Sequence, residues 1–265
     1  MKLNSAGKSN VGLKRDRNED SLLVSPDMGL YIIADGMGGH RAGDVASRIV
    51  VDTMKDYWMK IGNNERPPFI EPITKDISER AKHLVNSIAL ANRLIFEAQK
   101  QAQYHGMGST VSALLVEGNR IWSANVGDSR VYLMERGRLH IISEEHSVEA
   151  EQKSLGLFDS FSESNPFMKN ILTRVLGVKE KVDALITAVE PVLGDMVLAC
   201  SDGLTNYMTE ESIAAILNNQ ALIEEKVDAL IDGANEGGGG DNITVVLLEV
   251  LEEGMWSKLK KKLRI

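Results

Sequence analysis

Three carboxylates stand where a chain can hold charge rigidly. Asp35 closes the apolar run Leu30-Tyr31-Ile32-Ile33-Ala34 and is followed by Gly36-Met37-Gly38-Gly39-His40. Asp202 follows Met196-Val197-Leu198-Ala199-Cys200-Ser201 and precedes Gly203. Asp241 follows Gly237-Gly238-Gly239-Gly240 and precedes a strand-like run from Ile243. The apolar runs read as buried strands. A carboxylate at the end of such a strand is held at the edge of the core, and glycine beside it lets backbone approach a ligand. Glu19, Asp20 and Asp128 could join the same cluster. Oxygen ligands of this kind suit Mg²⁺ or Mn²⁺. Two such ions sharing a carboxylate lie about 3.5–4 Å apart and acidify a shared water, which can attack phosphorus in line. Phosphate oxygens then want a cation, and Arg15 is a candidate close in sequence; its fork matches two oxygens. A departing serine or threonine alkoxide wants a proton, and His40 is the nearest acid.

The elements that must position these groups follow from periodicity. Residues 18–24 and 30–34, joined by the turn Pro26-Asp27-Met28-Gly29, read as neighbouring strands, placing Glu19 and Asp20 beside Asp35. Ala46, Ile49, Val50, Thr53, Met54, Tyr57, Trp58 and Ile61 recur at helical spacing. A second helix is expected from about Lys75 to Tyr104, after a loop at 62–74. The two suggest a helical layer on a sheet. Residues 109–116, 120–126, 130–134 and 138–142 read as strands with short linkers, which favours one antiparallel meander. The 149–170 stretch carries little periodicity and reads as a flap over a site. Regular structure is expected again from Ile171 through the Val197 strand. Thr209 before Glu210-Glu211 is a helix N-cap, and residues 222–234 read as a further helix.

Composition narrows the class. With 265 residues, 43% apolar and 26% charged, the chain can bury one substantial layered core. A net charge of −8 argues against a general nucleic-acid binder. One cysteine, Cys200, excludes an internal disulfide and suits a reducing cytoplasm. No run spans a bilayer and the N-terminus lacks an apolar signal core, so a soluble cytoplasmic monomer is expected. Residues 253–265 form a basic tail outside the main domain of residues 1–252. Trp256, Leu259 and Leu263 there share a face among Lys258, Lys260, Lys261, Lys262 and Arg264. That pattern reads as a docked terminal helix or as weak attraction to an acidic surface.

The order of the motifs resembles one family. Arg15-x-x-Asn18-Glu19-Asp20, Asp35-Gly36-Met37-Gly38-Gly39-His40, Gly108-Ser109-Thr110, Asn125-Val126-Gly127-Asp128-Ser129-Arg130, Leu172-Thr173-Arg174-Val175-Leu176-Gly177, Cys200-Ser201-Asp202-Gly203-Leu204 and Gly240-Asp241-Asn242-Ile243-Thr244 look like the successive motifs of the PP2C (PPM) protein serine/threonine phosphatases, bacterial type. The resemblance covers about residues 8–250. It implies an α+β fold, a four-layer α-β-β-α sandwich of two packed antiparallel sheets flanked by helices. By the same likeness Asp35 bridges two metal ions, the Gly36 carbonyl helps bind one, and Asp202 and Asp241 complete the site. Glu19 and Asp20 act directly or through metal-bound waters, and Asp128 serves a third, weaker ion. Arg15 binds the phosphate and His40 is the general acid. The implied cofactor is Mn²⁺ or Mg²⁺. The implied reaction is direct hydrolysis of phosphoserine and phosphothreonine in proteins by a metal-activated water, against a cognate Ser/Thr kinase.

Other readings compete at single residues. A lone Asp-Gly is usually a turn, and His83, His105, His140 and His146 lack metal-ligand spacing. Cys200 has no arginine a few residues on, so it reads as a core residue rather than a nucleophile. Gly7-Lys8-Ser9 lacks the earlier glycine and the preceding strand of a phosphate loop. The chain has Glu145-His146-Ser147 where the family often has Asp-His-Ser. Two rival functions remain from sequence: a phosphoprotein-binding module, and a metallophosphatase for small phosphoesters.

Overall fold

The structure is a computed structural model that describes residues 1–38, 42–148 and 171–252. His40, the 149–170 segment and the 253–265 tail fall outside the described residues. The first sheet runs in the order β1 (Lys2–Asn10), β11 (Ile243–Leu251), β10 (Met196–Cys200), β7 (Arg130–Glu135), β8 (Arg138–Ile141), with every neighbour antiparallel. The second runs β2 (Asp20–Ser25), β3 (Leu30–Met37), β5 (Val111–Glu117), β6 (Arg120–Val126), β9 (Leu185–Val189), with β4 (Gly108–Ser109) paired to β3.

Strand alternation builds the layers. In β3, Tyr31 and Ile33 face the other sheet and pack with Leu114, Ile121, Val131, Val197, Val246 and Leu248. Leu30, Ile32 and Ala34 face outward, under helices α1 (Ala42–Gly62) and α2 (Glu79–Ala98). Side chains alternate across a strand, so a strand covered on both faces must be apolar at every position. That explains the unbroken run before Asp35. Three helices follow β10: the short α3 (Asp202–Thr205), then α4 (Glu210–Asn218) and α5 (Ile223–Glu236). The last two cover the outer face of the first sheet through Ile213, Leu217, Val227, Leu230 and Ile231. The expected four-layer sandwich is therefore present.

The chain departs from the sequence expectation in four places. The anticipated meander is broken, because β6 lies in the second sheet and β7 in the first. The chain changes sheet at Gly127-Asp128-Ser129, where Gly127 takes φ +109° and its missing Cβ leaves room for the Thr110 side chain. β1 carries no alternation of apolar residues and was not foreseen; Gly7-Lys8-Ser9 lies inside it. Helix α2 starts only at Glu79, capped by the Ser78 hydroxyl. Between Ile171 and β9 there are isolated bridges, Ser147 to Leu172 and Ser109 to Leu176, instead of continuous regular structure.

The 62–74 loop is fastened at both ends. Asn86 accepts from Ile70 N at 2.8 Å and donates to Pro68 O at 3.0 Å. Phe69 stacks on His83 with ring centres 4.8 Å apart. Lys181 meets Glu71 at 2.8 Å, and Lys75 reaches Ala184 O at 2.8 Å.

The sheet-to-sheet interface sets the stability of the whole. Leu114 is fully buried at its centre. Leu114→Ala is expected to cost about 2–5 kcal/mol, read as a lower urea midpoint with an unchanged m-value.

Candidate metal centre

The acidic residues converge at one end of the seam between the sheets. Asp20 opens β2 and is the register partner of Asp35 near the end of β3. Asp202 follows β10, Asp241 precedes β11, and Asp128 sits in the sheet-changing turn. The sequence-predicted acidic residues are thus brought together from five separate stretches of chain.

Hydroxyls and amides hold the carboxylates in place. Asp20 Oδ2 accepts from Thr244 Oγ1 at 2.6 Å and Ser201 Oγ at 2.9 Å. Asp202 Oδ2 accepts from Asn206 Nδ2 at 3.0 Å. The Asp35 backbone is gripped by Thr110, whose hydroxyl accepts from Asp35 N at 3.1 Å and whose N–H donates to Asp35 O at 2.8 Å. Glu19 lies at the start of α1, where Gly43 N donates to its carboxylate. A Cβ on Gly36 would collide with the Gly43 carbonyl, and one on Gly203 with the Asn242 carbonyl. Glycine at these two positions is what lets the loops close around the acids.

Asn242 was quoted in a motif but given no role, and it ties the site together. Its Oδ1 accepts from Glu19 N at 2.8 Å, and its Nδ2 donates to Val11 O at 2.9 Å and Arg17 O at 2.8 Å. His146 is a second omission. Its Nδ1 accepts from Gly127 N at 3.1 Å, and its own N–H donates to Gly127 O at 2.9 Å, which braces the turn that carries Asp128. Metal-ligand spacing could not reveal either residue, because both act on backbone.

Carboxyls of the cluster are raised by burial and by one another. Burial, reinforced by Asp20, Asp202, Asp128 and Asp241, pushes the Asp35 carboxyl well above the carboxylate range. Burial pushes Asp20 up to about 7 against the two hydroxyl bonds that favour its charge. Burial and the Asp202 charge push Asp128 up to about 7. Burial and Asp241 raise Asp202 as well. The carboxyls of Asp35 and Asp202 approach closely enough to share a proton. Without it Asp202 Oδ1 has no hydrogen-bond partner in its buried position, and neither has Asp20 Oδ1. Buried acceptor oxygens left without donors are chemically suited to a cation. Among the described residues no three acidic, histidine or cysteine side chains close on one point as a ready-made cage. The side chains gathered here offer oxygen donors, which hard cations take. The donor set therefore suits Mg²⁺ or Mn²⁺ and is wrong for a soft metal.

Arg15 stands at the mouth. Its Nη2 meets Asp241 Oδ2 at 2.8 Å, and half of its side chain is exposed. Cys200 is fully buried beneath the site, and burial pushes its thiol up to about 12, which removes it as a nucleophile.

Comparison with known proteins agrees with this geometry. The family model for protein phosphatase 2C matches residues 10–233. The serine/threonine phosphatase stp of Listeria welshimeri is 38% identical over 242 residues, 90% of this chain and 92% of that one. The structure of the Streptococcus agalactiae serine/threonine phosphatase superposes with a TM-score of 0.82 at 33% identity, covering 94% of this chain and all of that one. The catalytic domain of the phosphatase PstP, solved with two manganese ions, gives a TM-score of 0.77 at 32% identity over 94% and 99% of the two chains. The chain belongs to the protein phosphatase 2C family. Its activity is that of a metal-dependent protein serine/threonine phosphatase.

A pH dependence follows for the metal-free protein. Asp20 and Asp128 stay protonated up to about 7 when folded, whereas an ordinary aspartate ionises near 3.8. Between those values the folded chain binds more protons than the unfolded one, so stability falls as pH rises. Melting of the stripped protein is expected at progressively lower temperature from pH 5 to pH 8, with saturating Mn²⁺ flattening the trend.

Proposed function

We propose that Asp35, the Gly36 carbonyl, Asp202 and Asp241 hold two Mn²⁺ or Mg²⁺ ions, with Glu19 and Asp20 engaging them directly or through water. Asp128 serves a third, weaker ion. The observation that carries this reading is the set of mutually repelling buried carboxylates around Asp35, two of them with partnerless oxygens. Ions bound there supply Lewis acidity and bring a water to its reactive form near neutral pH.

The chain's own groups do the rest. Asp20 is oriented by Thr244 and Ser201, so its second oxygen is presented to the site. Asn206 orients Asp202 in the same way. With Asp241 engaged on a cation, the Arg15 guanidinium is left to grip two phosphoryl oxygens and orient the phosphorus for in-line attack. His40 gives a proton to the departing serine or threonine oxygen. The role of His40 rests on its motif and the family resemblance. The substrates are phosphoserine and phosphothreonine in proteins, restored by a cognate Ser/Thr kinase. A cytoplasmic enzyme is in keeping with a single buried, free cysteine. Among the described residues no helix is long and apolar enough to cross a membrane.

The test is hydrolysis of a phosphothreonine peptide by stripped protein, with and without Mn²⁺. Activity should appear only with the ion. Asp202→Asn should lose it by about 100-fold or more, as loss of a charge-stabilising ligand does. Arg15→Ala should lower kcat/KM by about 10- to 100-fold, the worth of a charged hydrogen bond. Faster turnover of free phosphoserine than of peptide would favour a small-phosphoester enzyme. Peptide binding without turnover by the Mn²⁺-loaded chain would favour a binding module.

A further inference from the structure

The turn that carries Asp128 is fixed from several sides. Besides the His146 bonds to Gly127, the Ser112 hydroxyl donates to Ser129 O at 3.3 Å, and the Ser129 and Thr110 hydroxyls lie 3.0 Å apart. Asn125 Nδ2 donates to Glu144 O at 3.2 Å, which ties the end of β6 to the segment carrying Glu145. Two residues beyond Asp128, Arg130 opens β7 opposite Cys200. A guanidinium keeps its charge at any working pH, so a permanent cation stands beside Asp128. Its Nη2 meets Glu145 Oε2 at 2.8 Å, with both side chains largely withdrawn from water. Glu145 Oε1 in turn accepts from Ser147 Oγ at 2.6 Å, and Ser147 is bridged to Leu172. Glu145 is thus held at both oxygens while it holds Arg130. The other bonds of the guanidinium are poor. Its Nη1 reaches the Tyr132 hydroxyl only at 3.4 Å, and its Nε is buried without a hydrogen-bond partner. Among the described residues Glu145 is its one ion-pair partner.

The two charges act on Asp128 in opposite senses. Arg130 favours the ionised carboxyl and Glu145 opposes it. Both are therefore close enough for their fields to reach Asp128. For a divalent cation on that carboxylate the signs reverse, so Arg130 repels the ion and Glu145 attracts it. A guanidinium with donors to spare, once released, does more than repel. It forms a charge-assisted pair with the nearest carboxylate and takes that ligand from the ion. The groups that weigh on Asp35 and Asp202 are chiefly the other acids and, for Asp202, Arg15. The influence of the Arg130–Glu145 pair is therefore concentrated at Asp128.

We infer, on the reading of Asp128 as ligand of a third ion, that Glu145 is a positioning residue that holds Arg130 off Asp128 and so keeps that ion's place open. The experiment is equilibrium binding of Mn²⁺ to the full chain, with free Mn²⁺ read from its electron spin resonance signal. Asp128→Asn marks which step of the isotherm belongs to Asp128. Glu145→Gln is expected to weaken that step about 10-fold and to leave the tighter steps within about twofold. Arg130→Gln is expected to strengthen the step, and the joint variant to return it to the wild-type value, since one charge of each sign is then gone. Glu145→Asp keeps the charge and is expected to retain the step. Melting of each variant in chelator reports its folding. Loosened packing weakens binding and does not strengthen it, so the opposite signs separate charge positioning from structural support. An Asp128 step unmoved by Glu145→Gln overturns the inference. So does equal weakening of every step, weakening by Arg130→Gln, or a loss in Glu145→Asp as large as in Glu145→Gln. An isotherm from which Asp128→Asn removes no step overturns the third-ion reading itself, and is seen without any change to the pair.

Discussion

Like charges pressed together out of water are the constraint on which the rest of this structure depends. Asp20, Asp35, Asp128 and Asp202 are each shifted toward the protonated state where they sit, chiefly through burial and partly through one another. Holding them there requires a scaffold that does not yield. The two-sheet sandwich supplies it, because every acid is anchored at a strand end or a one-step turn whose backbone is already committed to a sheet. The hydroxyls of Thr244, Ser201 and Thr110 and the amides of Asn206 and Asn242 then fix individual groups. Asp20 and Asp202 are each tied at one carboxylate oxygen and left open at the other. That asymmetry separates a binding centre from a structural ion-pair network.

The layers were legible wherever burial is two-sided. Continuous apolar runs before Asp35 and Asp202, and helical spacing in α1 and α5, predicted these elements to within a few residues. β1 was not legible because it is polar at most positions and earns its place by pairing with β11. The sheet change at Gly127 was hidden for a related reason. A short linker favours a hairpin locally, and only packing of the second layer decides otherwise. The acidic residues themselves were legible as an ordered set, since each follows or precedes a strand. Asn242 and His146 were not, because their work is done on backbone groups whose positions exist only in the fold.

The two ends of the molecule are built differently. At one end lie the sheet-changing turn, the glycine close approaches and Arg15, all loops whose geometry is dictated by the carboxylates. At the other lie turns tipped by exposed Val192, Leu193 and Leu222, whose geometry owes nothing to the site. The strap formed by the 62–74 loop lies across neither end. It clamps α2 to the strand-to-strand connection around Lys181 and Asp183 through charged pairs that remain partly exposed. Such pairs contribute little stability singly, so the strap's fixity comes from Asn86 and the stacked Phe69.

The pairing of β1 with β11 has a consequence for how the protein comes into being. Lys2 lies opposite Leu251, and Asn10 opposite Ile243. β1 is therefore without this partner until β11, more than 230 residues further along, has been synthesised. Non-local pairing of this kind is slow and comes late. Asp241 and the Asn242 bonds to the 11–19 loop arrive with the same strand. A nascent chain still lacking β11 carries Asp20 and Asp35 but neither Thr244 to orient the first nor Asp241 to complete the set. Closure of the sheet and completion of the acidic cluster therefore come together, in the last strand to pair.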